Sequence, residues 1–146
     1  MIDFDDLLQR MFPVLNQGFE RAKQEAEDVL DRLNASLAAN VGAHVVLHFI
    51  EIYTGAKYSI YGVFLDPDSS DATEELVPVI HMRIPAAGYP IELGSIDPIS
   101  ENFASADRVL NDVDAIEVFF ADELSNPDSA FVYAIGFALR MKASAG

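Results

Sequence analysis

The sequence predicts an α+β fold: N-terminal helices, an antiparallel sheet of about four strands in two hairpins, and two C-terminal helices packed on that sheet. Three observations carry this expectation. Apolar residues recur at helical spacing between Leu15 and Leu37, residue types switch to Val, Ile, Phe and Tyr from Gly42 to Leu65 around a Gly-bearing turn, and helix start signals return near residues 112 and 125. At 146 residues with 51% apolar side chains, the chain has the length and composition of one domain, 1–146. Its expected organisation is helical over 1–40, sheet over 43–94 and helical again over 106–142.

Asp3 is placed to cap a short helix carrying Leu7, Leu8 and Met11, with Asp5 and Asp6 against the positive end of its dipole, until Pro13 interrupts it. Beyond Pro13, the positions Leu15, Phe19, Ala22, Ala26, Val29, Leu33 and Leu37 draw one apolar stripe along a long helix, which Asn40 and Gly42 end. The opposite face carries Glu20, Arg21, Lys23, Glu25, Glu27, Asp28 and Arg32. Such a stripe packs on the domain's own sheet or zips against a second chain.

The next run is split by Thr54-Gly55-Ala56-Lys57, and a Gly followed by one more residue suits a two-residue type II′ turn. With Gly55-Ala56 as the loop, Tyr53 faces Tyr58, Phe49 faces Gly62 and Leu47 faces Phe64. That register puts Val45, Leu47, Phe49, Tyr53, Tyr58, Ile60 and Phe64 on the face under the long helix. The other face, with Val46, Ile50, Ile52, Tyr61, Val63, Leu65, His44 and His48, is also apolar and calls for cover, from the C-terminal helices or from another subunit.

Residues 66–73 read as a loop, Leu76 to Ile84 as a third strand with Pro78 at an edge or bulge, and Tyr89 to Leu93 as a fourth after the Pro85-Ala86-Ala87-Gly88 turn. Beyond Gly94 the run through Ile96-Asp97-Pro98-Ile99 reads as irregular, after which helical chemistry returns, and Asn111 or Asp112 can start a helix bearing Val113, Ile116, Phe119, Phe120 and Leu124. Ser125-Asn126-Pro127-Asp128 resembles a capping box for a last helix. Residues 129–142 alternate well enough to suit a strand, but the start signal and the cations Arg140 and Lys142 favour a helix.

Composition narrows function by exclusion. The absence of Cys removes disulfides, thiolate metal sites and thiol nucleophiles. The acidic N-terminus lacks the basic region of a secretory signal and no apolar run approaches the roughly 20 residues of a membrane span, so a cytoplasmic protein without membrane contact is expected. A net charge of −15, with 15 acids between Asp66 and Asp128 against Arg83 and Arg108 alone, repels nucleic acid and favours a basic protein partner.

No nucleophile elbow, phosphate loop or cofactor motif is present, and no cofactor is expected. His44 and His48 stand about 13 Å apart on an extended strand, too far for one metal ion. His48, His81 and Tyr61 are the residues expected to line any pocket, and Tyr53, Tyr58, Tyr89 and Phe103 are further aromatic candidates for a pocket or interface. No metal site is expected: the acidic loop departs from the EF-hand pattern at Asp71 and Val77, leaving Asp66, Asp68 and Asp71 as weak oxygen ligands.

Two functional readings result. In the first, a small acidic non-enzymatic domain, of the inhibitor, antitoxin-like neutraliser or secretion-chaperone type, presents carboxylates to a basic partner. Asp112, Asp114, Glu117, Asp122 and Glu123 form its acidic face. In the second, a small ligand or substrate occupies a cavity between sheet and helices. A homodimer is expected in either case, because it would cover the second apolar face of the sheet.

Overall fold

A computed structural model describes residues 1–68, 76–97 and 99–145. Two helices come first, α1 (Phe4–Met11) and α2 (Gln17–Asn40). Five strands follow: β1 (Val46–Thr54), β2 (Tyr58–Asp66), β3 (Val77–Pro85), β4 (Ile91–Ile96) and β5 (Phe103–Leu110). Helices α3 (Val113–Ser125) and α4 (Ala130–Ala145) complete the chain. The fold is α+β as the sequence predicts, with an antiparallel meander in the order β1-β2-β3-β4-β5.

Among the described residues the sheet therefore has five strands, not four, and residues 106–110 belong to β5 rather than to a helical segment. The reason the strand escapes a sequence reading is physical. Phe103-Ala-Ser-Ala-Asp-Arg-Val-Leu lies at the sheet edge with most of its residues exposed on both sides, so nothing demands a β-branched or aromatic run.

The β1–β2 register also departs from expectation. Leu47 pairs with Leu65, Phe49 with Val63 and Ile50 with Gly62, and a bulge between Glu51 and Tyr53 then moves Tyr53 opposite Ile60. A one-residue slip inverts every side chain of one strand relative to the other. Val45, Leu47 and Phe49 do lie under the helices, but their partners there are Tyr61, Val63 and Leu65, whereas Tyr53, Tyr58, Ile60 and Phe64 point to the opposite face. The turn closes one residue later than expected, with the Gly55 N–H donating to the Tyr58 carbonyl, and the bulge, which no single residue type announces, then inverts the faces.

Helices α2, α3 and α4 form one layer on one face of the sheet. Ala22, Ala26, Val29, Leu30 and Leu37 of α2 meet Met82 and Ile84 of β3, Leu93 of β4, Ile116 and Phe120 of α3, and Phe131 and Ala138 of α4 in a single buried core. The Phe120 ring meets Phe119 at 5.0 Å and Phe131 at 6.2 Å, both near edge to face, which ties α3 to α4. Two alanines at the crowded centre of α2 allow its backbone to approach the sheet closely. The C-terminal helices thus join α2 and do not cover the second sheet face.

Caps follow the local chemistry. Asp3 accepts from the Asp6 N–H and starts α1, and Asp112 accepts from the Ala115 N–H and starts α3. The last segment is helical, but Ser129, not Ser125, caps it: its hydroxyl accepts from the Val132 N–H, while Ser125 is the final residue of α3 and donates to the Ala121 carbonyl. Helix α1 has no buried residue, and Phe4, Leu7, Leu8 and Met11 are all about half exposed or more.

Candidate functional site

The helix-free face of the sheet is where unusual residues converge. One rung crosses all five strands through Ile50, Gly62, His81, Gly94 and Ser105. Glycine on either side of His81 leaves room above the sheet, and aromatic rings fill it: a Cβ at Gly62 would overlap the Phe64 ring, and one at Gly94 would overlap the Phe103 ring and the Ala104 carbonyl. His81 is only 7% exposed on a face that no described helix covers. Burial lowers its pKa below the free-imidazole value and so disfavours the charged form.

Next to it, the Arg83 guanidinium lies between two rings, 5.1 Å from the centroid of Tyr58 and 4.8 Å from that of Phe103. Glu92, its partner across β3 and β4, forms an ion pair with it and also accepts from the Ser105 hydroxyl. This arrangement restrains both rings, because the guanidinium can leave neither without losing a cation–π contact.

A register shift between Leu93 and Gly94 lets the tip of the β4–β5 hairpin curl across this face. Between that tip and the β1–β2 hairpin lies a groove of about 680 Å³. Its floor is apolar and aromatic, with Ile52, Tyr53, Tyr58, Ile60 and Phe103, and its rim holds Asp97 and Glu101. Tyr53 and Tyr58 touch at a ring separation of 5.5 Å. The Ile99 N–H, and then that of Ser100, donate to the Asp97 carboxylate and hold its pKa below the usual range, so this rim charge persists into mild acid.

The expected pocket residues are divided by the sheet. His48 and His81 lie on the helix-free face, where His48 Nε2 is 3.4 Å from Asp66 Oδ2, and neither lines the groove. Tyr61 lies on the helix side, stacked on Phe49 at 4.6 Å and beneath the Lys23 ammonium. It lines a separate cleft of about 430 Å³ between the start of α2 and the β1–β2 turn, with Glu20, Lys23 and Glu51. Tyr89 is bound on the helix side as well, donating to Glu25, and burial raises its pKa.

The five acids expected to form a docking face gather along α3, and several have partners. Asp112 is the helix cap, Glu117 pairs with Arg32 of α2 at 2.5 Å, and Asp122 stands 3.5 Å from Arg108 of β5. Asp114 is exposed and Glu123 half-buried. Among the weak metal candidates, Asp66 receives the Asp68 N–H in a tight local turn, and Asp71 lies outside the described residues. Among the described residues no three His, Asp or Glu side chains come together as a metal site. No described helix is long and apolar enough to cross a membrane.

The aromatic signal in Tyr53, Tyr58 and Phe103 was readable; their convergence with Asp97 and Glu101 was not, because it depends on β5. No family model, curated protein or solved structure matches this chain.

Proposed function

We propose that this protein is a non-catalytic protein-binding domain that holds a basic, amphipathic segment of another polypeptide in the helix-free groove. The observation that supports it is the pairing of an aromatic floor, Tyr53, Tyr58 and Phe103, with the rim carboxylates Asp97 and Glu101. Apolar side chains of a partner segment would desolvate the floor, and Lys or Arg beside them would meet the rim. The net charge of −15, including the partly paired row on α3, adds long-range attraction that accelerates encounter with a basic partner.

The test compares equal changes in charge at two places. A synthetic amphipathic Leu/Lys peptide is titrated against the wild-type protein, an Asp97→Asn/Glu101→Gln variant and an Asp114→Asn/Glu123→Gln variant. Groove neutralisation should weaken binding about tenfold and α3 neutralisation by less than about threefold, with a Leu/Glu peptide failing to bind. Equal loss in both variants would mean that the peptide sees only net charge, and would refute the groove as the site.

A small-ligand reading has one observation behind it, the 430 Å³ cleft in which Lys23 stands over Tyr61. It would be supported by a small-molecule mass that co-purifies with the protein and is lost in a Lys23→Ala variant.

A further inference from the structure

Among the apolar surfaces that the described residues expose, two lie near the β1–β2 and α1–α2 turns. One is the groove; the other is α1, whose Phe4, Leu7, Leu8 and Met11, followed by Phe12 and Leu15, are between 48% and 68% exposed. The helix has eight residues, and a helix of that length is marginal in water without a surface to lie on. Its polar side carries Asp5, Asp6 and Arg10, with Asp6 and Arg10 paired at 2.5 Å. An acidic polar face on a chain of charge −15 is unsuited to an anionic lipid surface, which amphipathic helices approach through Lys and Arg.

We propose that in the free protein α1 of one copy lies in the groove of a second copy, reciprocally, so that a two-fold dimer plugs both grooves until a basic segment displaces the helix. This rests on the groove being a docking surface for amphipathic segments, and it names the occupant present when no partner is bound. The areas agree with it. Six half-exposed side chains at about 100 Å² each, together with the groove contacts of the reciprocal helix, reach the roughly 800 Å² per partner of a standard interface. The symmetry agrees as well, because each copy has one such helix and one such groove, and mutual exchange fills both grooves in a closed assembly. The hinge is the turn over residues 12–16, where Asn16 takes a left-handed backbone, φ 62°, before α2 begins.

Charge distinguishes the plug from the partner. Helix α1 brings Asp3, Asp5 and Asp6 toward a rim that is itself acidic, and two chains of −15 repel, so the dimer is held by apolar contact against electrostatics. Salt should therefore tighten the dimer while it weakens the complex with a basic peptide.

Sedimentation velocity on the full chain reads this directly. The wild type should be a dimer at tens of micromolar whose dissociation constant falls about tenfold between low and 0.5 M salt. Leu8→Asp/Met11→Asp and Ile52→Asp/Tyr53→Asp, all exposed positions, should each be monomeric with unchanged circular dichroism, and mixing the two variants at higher concentration should give a weaker dimer of one of each, held by the one intact helix and groove. A monomeric wild type, or a dimer that survives the Ile52→Asp/Tyr53→Asp change, would overturn the inference; the second result would point to pairing of α1 with α1 or to another face. Binding of the Leu/Lys peptide to the Leu8→Asp/Met11→Asp monomer is read separately. It should be about tenfold tighter than to the wild type, because no plug has to leave. Loss of peptide binding with the dimer intact would refute the partner reading alone, and a peptide bound equally by both forms would refute the plug alone.

Discussion

The Phe64 ring meets the His81 imidazole edge to face, with centroids 5.6 Å apart and planes at 90°. The contact exists because Gly62, beside His81 on the same rung, has no side chain to hold the ring off the sheet. A titratable group on the face that no described helix covers is thereby packed against an aromatic ring, and burial disfavours its charged form. The folded-state pKa lies below 6.5, so in the window beneath 6.5 the unfolded chain binds a proton that the folded chain does not. Stability should accordingly fall as pH drops through 6.5, and stop falling on this account once the folded-state pKa is passed. Urea midpoints measured from about pH 7.5 down to about pH 5.5 should decline in the wild type and decline less in His81→Gln. An equal slope in both would show that His81 carries none of the dependence.

The two glycines flanking His81 should differ in their tolerance of a methyl group. A Cβ at Gly62 meets only the far end of the Phe64 ring and the His81 ring, which can shift, whereas one at Gly94 meets the Ala104 carbonyl of the neighbouring strand as well as Phe103. Gly62→Ala should cost about 1 kcal/mol and Gly94→Ala about 3 kcal/mol or more, the range expected for overpacking against movable and immovable neighbours. Chemical denaturation of the two variants checks the order; a reversal would mean that the β4–β5 hairpin yields more readily than the ring.

The helical layer was legible because its information is local. The 3.6-residue period from Phe19 to Leu37 requires only that one face be buried, and Asp3 and Asp112 act within three residues of themselves. The sheet was less legible because its information is relational. Whether Tyr61 or Ile60 faces the helices is decided by a bulge at Ile52, and both residues are apolar enough for either side. Strand β5 carries almost no signal, since Ala104, Ser105 and Ala106 are tolerated in any conformation at an exposed edge. The groove is built from that bulge and that strand, so its aromatic members could be suspected individually but not assembled.

Asn34 should prove a structural anchor out of proportion to its size. Its side chain donates to the Leu47 carbonyl at 3.0 Å and accepts from the Leu47 N–H at 2.7 Å, satisfying both outward backbone groups of a buried residue on the β1 edge. Asn34→Ala leaves a donor and an acceptor unpaired next to the core, at a cost of about 1–3 kcal/mol. Asn34→Asp retains the acceptor but sets a carboxylate against the Leu47 carbonyl, and should be at least as damaging. Amide exchange at Leu47 measures the effect locally: protection should collapse in both variants, and protection retained in Asn34→Ala would show that the edge is closed by something else.

Arg83 tests whether the groove floor is fixed in place before a partner arrives. Its guanidinium stacks on Tyr58 and Phe103 and is paired with Glu92, so it serves as a spacer, a cation and a hydrogen-bond donor at once. Arg83→Lys keeps the charge but loses the planar stack, and Arg83→Met keeps much of the packing but leaves Glu92 with only the Ser105 hydroxyl. Since the pair is about one-third exposed, either change should cost no more than about 1–2 kcal/mol of stability. Adding Glu92→Gln to Arg83→Met should recover part of that loss, because it removes the unpaired carboxylate. Peptide binding should respond differently. With the rings free to turn, Arg83→Lys and Arg83→Met should each weaken the Leu/Lys peptide about three- to tenfold, chiefly through a faster off-rate, and adding Glu92→Gln to Arg83→Met should not restore it. Recovery of affinity together with stability would mean that Arg83 acts only through the fold, whereas loss of affinity with stability restored is the mark of a residue that holds the aromatic floor in its binding geometry.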